Sequence, residues 1–509
     1  MLARVTSLAL LGIRAFPVQV EVDLAPGLPA FNTVGLPDGA VRESKERVRA
    51  ALTNSGFYLP VSRITVNLAP ADVRKEGSGF DLPMALGILA AAGAAPAEAL
   101  LGLGVVGELA LDGTIRPVRG ALSMSVAAAR EGLKAIIVPA DNAAEAAVVQ
   151  GVTVLSARRL GDVVAHLLER EPLAVARADA ATLLSAEGGE GPDLNEVRGQ
   201  EHVKRALTIA AAGGHNVLMV GPPGSGKTML ARRLATILPP LTFPEAIEVT
   251  QVASVAGTLS SGQALVTARP FRSPHHTVSD AGLIGGGTVP RPGEVSLAHH
   301  GVLFLDELPE FKKSVLEVLR QPLEAGQVTV TRAAASVDFP ARFMLVAAMN
   351  PCLCGFHGDR ERQCTCAPQQ VRTYQSRVSG PLMDRIDIQV EVPAVPFREL
   401  SADTCGPSSA QVRAEVMAAR ARQHERLANG KIFCNAQMST RQTRQWCKLS
   451  PEGLGLLERA MERFRLSARA YGRILKISRT IADLEGAPEI GLAHLSEAIG
   501  YRSLDRGLA

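Results

Sequence analysis

The chain has 509 residues, too many for one hydrophobic core, so about two to four domains are expected. Apolar residues make up 47% and aromatic residues 4%, which predicts aliphatic cores, and the net charge of +4 (54 basic against 50 acidic side chains) leaves any partner to be read from local charge bias. The most apolar stretch, Leu82 to Ala97, is interrupted by Gly87, Gly93 and Pro96 and falls short of the about 20 residues that a bilayer span needs.

The opening MLARVTSLAL reads as a strand and carries no signal-peptide cleavage site, so a cytoplasmic protein is expected. Seven cysteines, an odd number in a long chain, fit a reducing compartment. VQVEVDLAPGLPAFNTVG and RITVNLAP read as strands, VRESKERVRAALTNSG as a helix with Gly56 at its C-cap, and KAIIVPADN as a buried strand entering a turn. Residues 1–168 therefore read as an α/β domain. Residues 169–192 lack periodicity and end in SAEGGEGPD, which predicts a linker.

A second α/β domain is expected over 193–396, and its chemistry is concentrated at strand ends. NVLMVGPPGSGKTMLARRLATIL carries G-x-x-x-x-G-K-[ST] between a buried strand, Asn216–Val220, and an amphipathic helix, Lys227 to Leu238. In that setting the loop Gly221, Pro222, Pro223, Gly224, Ser225, Gly226, Lys227 and Thr228 would cradle ATP phosphates. Backbone N–H groups turn inward at the glycines, Lys227 reaches the β- and γ-phosphates, and Thr228 ligates Mg²⁺. In GVLFLDELPEF the run Val302–Leu305 predicts a buried strand with Asp306 and Glu307 at its carboxyl end, the edge where ligands bind in parallel sheets. Asp306 would hold the Mg²⁺-bound water and Glu307 would act as general base. A third strand, FMLVAAMN, ends in Asn350, a candidate to position the attacking water or a turn former before Pro351.

Cys352, Cys354, Cys364 and Cys366 follow within a short segment and could close a Zn²⁺ shell, with His357 able to replace one thiolate. Their C-x-C spacing is tighter than the usual C-x₂-C, and free thiols or reversible disulfides are the alternatives. Cys405, Cys434 and Cys447 lack partners at ligand spacing. From about Glu399 the chain reads as helical, a lid over 397–509, with SADTCGPSS as a disordered loop. Between Gln411 and Thr480 there are 15 Lys and Arg against 5 Asp and Glu, which suits either a polyanion partner or a solvated helical surface.

DLNEVRGQEHVKRALTIAAAGGHN, RPFRSPHHTVSDAGLIGGG, PGEVSLAHHGVLFLDELPEF and AAMNPCLCGFHGD resemble the Mg-chelatase-like AAA+ ATPases of the YifB/ComM type over nearly the whole chain. The resemblance implies a homo-hexamer with ATP at subunit interfaces, each site completed by a neighbour's arginine. SGPLMDRIDI then points to Arg385 as that finger, with a pair to Asp384 or Asp387 as the structural alternative. LSARAYGRILKISRTIADL is similar to the family's sensor-2 helix, with Arg469 as the candidate and Arg473 and Arg479 as rivals. The resemblance also implies β-hairpins in the ring pore, here 257–291 and 327–340. Arg332 would lie near the second tip, in reach of DNA phosphates. His275 and His276, in the first, read as structural more than catalytic. ComM-type members imply an ATP-dependent DNA helicase acting in branch migration during natural transformation, on single-stranded, forked or branched DNA. A chelatase-type motor that remodels a partner protein is the alternative. A chaperone that threads polypeptide is a third reading, and Tyr374 is its nearest pore aromatic.

Residues 1–168 resemble the proteolytic domain of Lon proteases, through KEGSGFDLPMA and GELALDGTIRPVRGALSMSVAAAREGLKAIIVPADN. The register places Gly79 at the family's serine and Leu122 at its lysine. Ser78 is one residue off, and Lys75 and Lys134 lie elsewhere, so no peptidase activity is expected. The expected architecture is thus a Lon-protease-like α/β domain, an AAA+ P-loop core and a helical C-terminal lid.

Overall fold

The computed structural model describes residues 2–185, 192–287, 290–332, 335–359, 362–396, 399, 406–427, 432–464 and 466–502. The N-terminal domain is built on an eight-stranded mixed sheet in the order β10-β9-β8-β5-β1-β2-β4-β3. These strands are β1 (Leu2–Leu11), β2 (Arg14–Ala25), β3 (Ala30–Val34), β4 (Arg63–Ala69), β5 (Leu103–Val105), β8 (Ala135–Pro139), β9 (Thr153–Ala157) and β10 (Ala174–Ala176); β6 (Glu108–Leu109) and β7 (Ile115–Arg116) form a separate small ribbon. The expected helix runs from Gly39 to Asn54, capped by the Asp38 carboxylate, and Gly56 follows it at φ 81°.

The apolar stretch that is too short for a membrane is a buried helix, Asp81–Ala91, all of whose residues are shielded. A helix covered on every side needs an apolar surface all round, which is why its sequence shows no amphipathic stripe. Among the described residues no helix is long and apolar enough to cross a membrane.

Two segments near the expected domain boundaries differ from the sequence expectation. Ala174–Val175–Ala176, inside the expected linker 169–192, pairs antiparallel with β9 and extends the first sheet. Three small or β-branched residues suffice there because an edge strand needs a partner on one side only. Ser408 and Ser409, at the end of the expected loop SADTCGPSS, are ordered: Ser409 opens a helix, accepts from Leu194 N (2.8 Å), and donates its own backbone N–H to Asp193 (2.9 Å).

The second sheet is wholly parallel, in the order β12-β15-β18-β11-β19, comprising β11 (Val217–Val220), β12 (Phe271–Arg272), β15 (Val302–Leu305), β18 (Met344–Met349) and β19 (Ile388–Glu391). The three central strands are buried at every residue, as a sheet covered on both faces requires. The stretch 257–291, expected as one pore hairpin, instead supplies edge strand β12 and the helix Asp280–Ile284, and contributes to a two-residue ribbon of β13 (Gly285–Gly286) with β14 (Arg291–Pro292). The second hairpin is a ribbon of β16 (Gln327–Arg332) and β17 (Ala335–Pro340). The middle of its second strand packs on the first domain: a Cβ on Gly12, between β1 and β2, would overlap Val337.

Of the C-terminal helices, Ser409–Leu427 and Ala468–Leu484 pack on the core helix Glu201–Gly213, Thr440–Trp446 and Leu492–Gly500 pack on Ala468–Leu484, and Pro451–Phe464 packs on Leu492–Gly500. Buried Asp483 anchors them, accepting from Arg426, Arg479 and Asn435. A buried carboxylate is tolerable only with such partners. The basic excess of this region is partly internal. Arg420, Arg422, Arg426, Arg473, Lys476 and Arg479 are bonded to groups of the chain itself. Only part of the surplus therefore faces outward.

Candidate functional site

The P-loop leaves the carboxyl end of β11, where the backbone must turn against its neighbours. A Cβ at Gly221 would overlap the Val392 carbonyl, and Gly224 and Gly226 hold φ of 77° and 88°, a region that glycine alone enters freely. Space is open where Cβ atoms at these two positions would stand, as a cradle for phosphate oxygens requires. The Ser225 hydroxyl is buried without a hydrogen-bond partner, an orphan donor in the loop.

Lys227 opens the following helix, Lys227–Ile237. Its Nζ donates to the Gly221 and Pro222 carbonyls (both 2.8 Å) and to Asn350 Oδ1 (3.2 Å). Burial lowers its pKa, and the Asp306 and Glu307 carboxylates oppose that shift. Thr228 Oγ1 donates to Asp306 Oδ2 at 2.6 Å, so the hydroxyl and carboxylate predicted to hold Mg²⁺ already meet. These residues fit a magnesium nucleotide; the cation would supply charge neutralisation between the β- and γ-phosphates. Asp306 Oδ1 accepts from the Glu307 amide (2.9 Å). Asn350 follows β18 directly.

Glu307 has φ 52°, a left-handed conformation costly for a side chain of its size. His276 Nδ1 lies 3.5 Å from Glu307 Oε2. The His276 ring stacks on His275 (centroids 4.0 Å) and meets Phe311 edge-on (6.4 Å). The sequence favours a structural over a catalytic role for the histidine pair, because chain separation hides this contact with the expected general base. His276→Ala is expected to lower kcat by up to about a hundredfold with KM for ATP little changed, because the base loses its support but phosphate contacts stay. Steady-state kinetics check this, and an equal rise in KM would count against a positioning role.

Gln200 was missed by the sequence reading. At φ 56° its side chain donates to the Ser225 and Pro393 carbonyls (both 2.9 Å), joining the loop after Val197 to the P-loop. A cavity of about 690 Å³ lies there between Gly199–His202 and Pro393–Pro396, adjacent to the cradle and large enough for a nucleoside. The GQEHVKRAL segment was the available signal.

The arginines lie elsewhere. Asn216, Gly301, Met344 and Asp387 mark the amino ends of the parallel strands, and together they line a groove of about 1720 Å³. Arg385 and Arg469 line the same groove. The strands put about 15 Å of sheet between this edge and the P-loop. Arg385 is nearly buried. It pairs with Glu324, donates to Pro381 O (2.6 Å) and leaves its buried Nε without a partner. Its expected alternatives are occupied, Asp384 by Arg469 (3.1 Å) and Asp387 by Arg473. Burial raises the Asp387 pKa, but Arg473 and His215 outweigh it and hold the carboxyl well below its usual range. Of the three sensor-2 candidates, Arg479 is buried against Asp483 and two carbonyls, Arg473 is tied to Asp387, and Arg469 has its side chain 63% exposed.

Arg332 ends β16 opposite Ala335; its side chain is not among those described. Tyr374 is buried beside Asn350, its phenol pushed up to about 12 by burial, so it is no pore-loop aromatic. The four clustered cysteines converge, and His357 is not part of the set. Cys434 and Cys447 are buried single thiols, and Cys405 lies outside the described residues. In the first domain Ser78 donates to the Glu108 carboxylate, while Lys75 is fully buried with its Nζ unbonded, so the two do not form a Ser–Lys hydrogen bond.

Three family models match: "Magnesium chelatase, subunit ChlI" over 193–400, "Subunit ChlI of Mg-chelatase" over 20–142, and "Magnesium chelatase, subunit ChlI C-terminal" over 406–502. The chain is 47% identical to the Competence protein ComM of Haemophilus influenzae, over 99% of this chain and 98% of that protein. It is 45% identical to the uncharacterized protein YifB of Escherichia coli, over 98% and 96% of the two chains. Likeness to the Magnesium-chelatase 38 kDa subunit of Rhodobacter capsulatus is 29%, over 31% of this chain and 50% of that subunit. With an α/β P-loop core, a helical C-terminal region and full-length relatives at these identities, the chain belongs to the Mg-chelatase-like AAA+ ATPase family of the YifB/ComM type.

Proposed function

We propose that the chain is the subunit of a cytoplasmic, hexameric, ATP-dependent DNA helicase or translocase that promotes branch migration while incoming DNA is integrated in natural transformation. The observation that carries this reading is the extent of the likeness: it runs end to end with a competence protein, but covers only 31% of the chain with a chelatase subunit. The groove arrangement supports the ring. Arg385 and Arg469 stand at the edge of the sheet opposite their own P-loop, where a neighbour's nucleotide could meet both. Lys227, Asp306, Glu307 and Asn350 would serve the site in cis. Arg332, ending the β16–β17 ribbon, would touch DNA phosphates without reading sequence.

ATPase rate measured with single-stranded DNA, forked DNA and unfolded protein separates the readings. Forked or branched DNA is expected to stimulate turnover, with steep salt dependence. Absence of both DNA binding and DNA stimulation would sink the proposal, and stimulation by unfolded protein alone would favour a remodelling motor.

A further inference from the structure

Among the described residues two side-chain sets converge closely enough to hold a metal ion. In the first, Glu248 Oε2 meets His299 Nε2 (2.9 Å) and His300 Nε2 (2.8 Å). His299 Nδ1 already accepts the Arg342 amide (3.0 Å), so its Nε2 carries the ring proton and donates to Glu248. Burial pushes the His299 pKa down to about 4, which keeps one proton on the ring. That set is a hydrogen-bonded network, with no free lone pair on His299 for a cation.

The second set has the opposite character. The Cys352 sulfur lies 3.3 Å from Cys354 and 3.7 Å from Cys364, and Cys354 lies 3.5 Å from Cys364. Cys366 accepts the Cys354 amide at 3.4 Å, and all four sulfurs fall within 4.8 Å of one another. Four thiolates around one zinc, with bonds of about 2.3 Å, stand about 3.8 Å apart. No helix or strand is described between Asn350 and the helix Pro368–Gln375, so a shared cation is what would hold this loop in one conformation.

The loop is pressed against the nucleotide site. Cys352 follows Asn350, whose Oδ1 accepts from Lys227, by two residues. The Gly355 amide donates to Cys352 O (3.0 Å), and the Pro351 carbonyl accepts from Gln375 (3.0 Å). Gly355, at φ 86°, backs directly onto the P-loop: a Cβ there would overlap Pro223 Cδ and stand 2.8 Å from Pro223 Cγ. Nothing larger than glycine fits between the thiolates and the loop that cradles phosphate.

We propose that Cys352, Cys354, Cys364 and Cys366 bind one zinc ion, and that the closed site braces the P-loop through Gly355 and Pro223, so that zinc and nucleotide bind cooperatively. The coupling rests on Gly221–Thr228 binding ATP; the metal site does not. Coupling free energy is reciprocal, so zinc should raise nucleotide affinity and nucleotide should raise zinc affinity by one common factor, between about 5- and 150-fold.

Full-length protein purified without added zinc is expected to carry about one zinc per chain by plasma mass spectrometry. Cobalt(II) in its place should give the charge-transfer and visible bands of a tetrahedral thiolate site. The Cys364→Ser/Cys366→Ser variant should lose the metal and bind a fluorescent ATP analogue about tenfold more weakly. Chelator-stripped wild type should weaken equally and recover on zinc addition, which separates bracing from misfolding. Gly355→Ala keeps all four thiols and should keep zinc while losing nucleotide affinity. Sub-stoichiometric metal with no thiolate cobalt spectrum overturns the site. Full metal with equal nucleotide affinity in stripped and loaded protein overturns the brace. Failure of zinc-loaded wild type to bind ATP at all would instead overturn the P-loop reading.

Discussion

Glu307→Gln is expected to bind ATP as tightly as the unaltered chain while turnover falls by about 10²- to 10⁴-fold. The amide keeps the size of the carboxylate and removes only its ability to accept a proton from the attacking water. In the proposed site other groups hold the nucleotide: Lys227 and the glycine backbone would meet the phosphates, and the Thr228–Asp306 pair, whose hydroxyl and carboxylate meet at 2.6 Å, would hold Mg²⁺. Glu307 stands apart from that pair in a strained conformation, its carboxylate directed to His276. Binding and hydrolysis are thus assigned to different side chains, and the variant should separate them. Equilibrium nucleotide binding and single-turnover hydrolysis check this. Wild-type turnover would remove Glu307 from the mechanism, and a parallel loss of binding would make its role electrostatic rather than that of a base.

Arg385→Ala should abolish turnover by about 10³- to 10⁵-fold while leaving nucleotide bound, since an arginine finger acts on charge that develops in the transition state. The placement of Arg385 allows a sharper test. In the chain's own fold it lies at the amino edge of the sheet, far from its own Lys227. Mixing inactive Arg385→Ala subunits with inactive Lys227→Ala subunits should therefore restore part of the activity. At some interfaces an intact P-loop of the first kind meets an intact arginine of the second. An arginine acting within its own subunit predicts no recovery at any ratio, provided that subunit exchange is confirmed by a labelled subunit. The pair with Glu324 and the bare Nε are the features a neighbour would have to rearrange, so Glu324→Gln should alter the turnover of assembled rings more than nucleotide affinity.

Local chemistry was legible in the chain because it is written in consecutive residues. The glycines, Lys227 and Thr228 of the P-loop, the buried strand before Asp306, and the strand before Asn350 each carry their signal within a few positions, and the folded sheet brings all of them to one edge. The thiolate set was legible for the same reason, its members lying within one loop. Tertiary structure alone decided the rest. Gln200 and His276 reach the site through contacts between separate segments, and while the GQEHVKRAL motif marks the first segment, its spacing does not report which loop Gln200 touches. The edge strand Ala174–Ala176 hides in a linker-like composition because three backbone pairs against β9 need no side-chain pattern. Spacing left Arg469, Arg473 and Arg479 equivalent on one helix. Packing separates them: Arg473 and Arg479 are held by the shielded carboxylates of Asp387 and Asp483, whereas Arg469, paired with Asp384, keeps an exposed side chain. That the arginines face away from their own phosphate cradle follows from the strand direction shared by the whole sheet. Residue spacing cannot report it, and the proposed sharing of the nucleotide site between subunits rests on it.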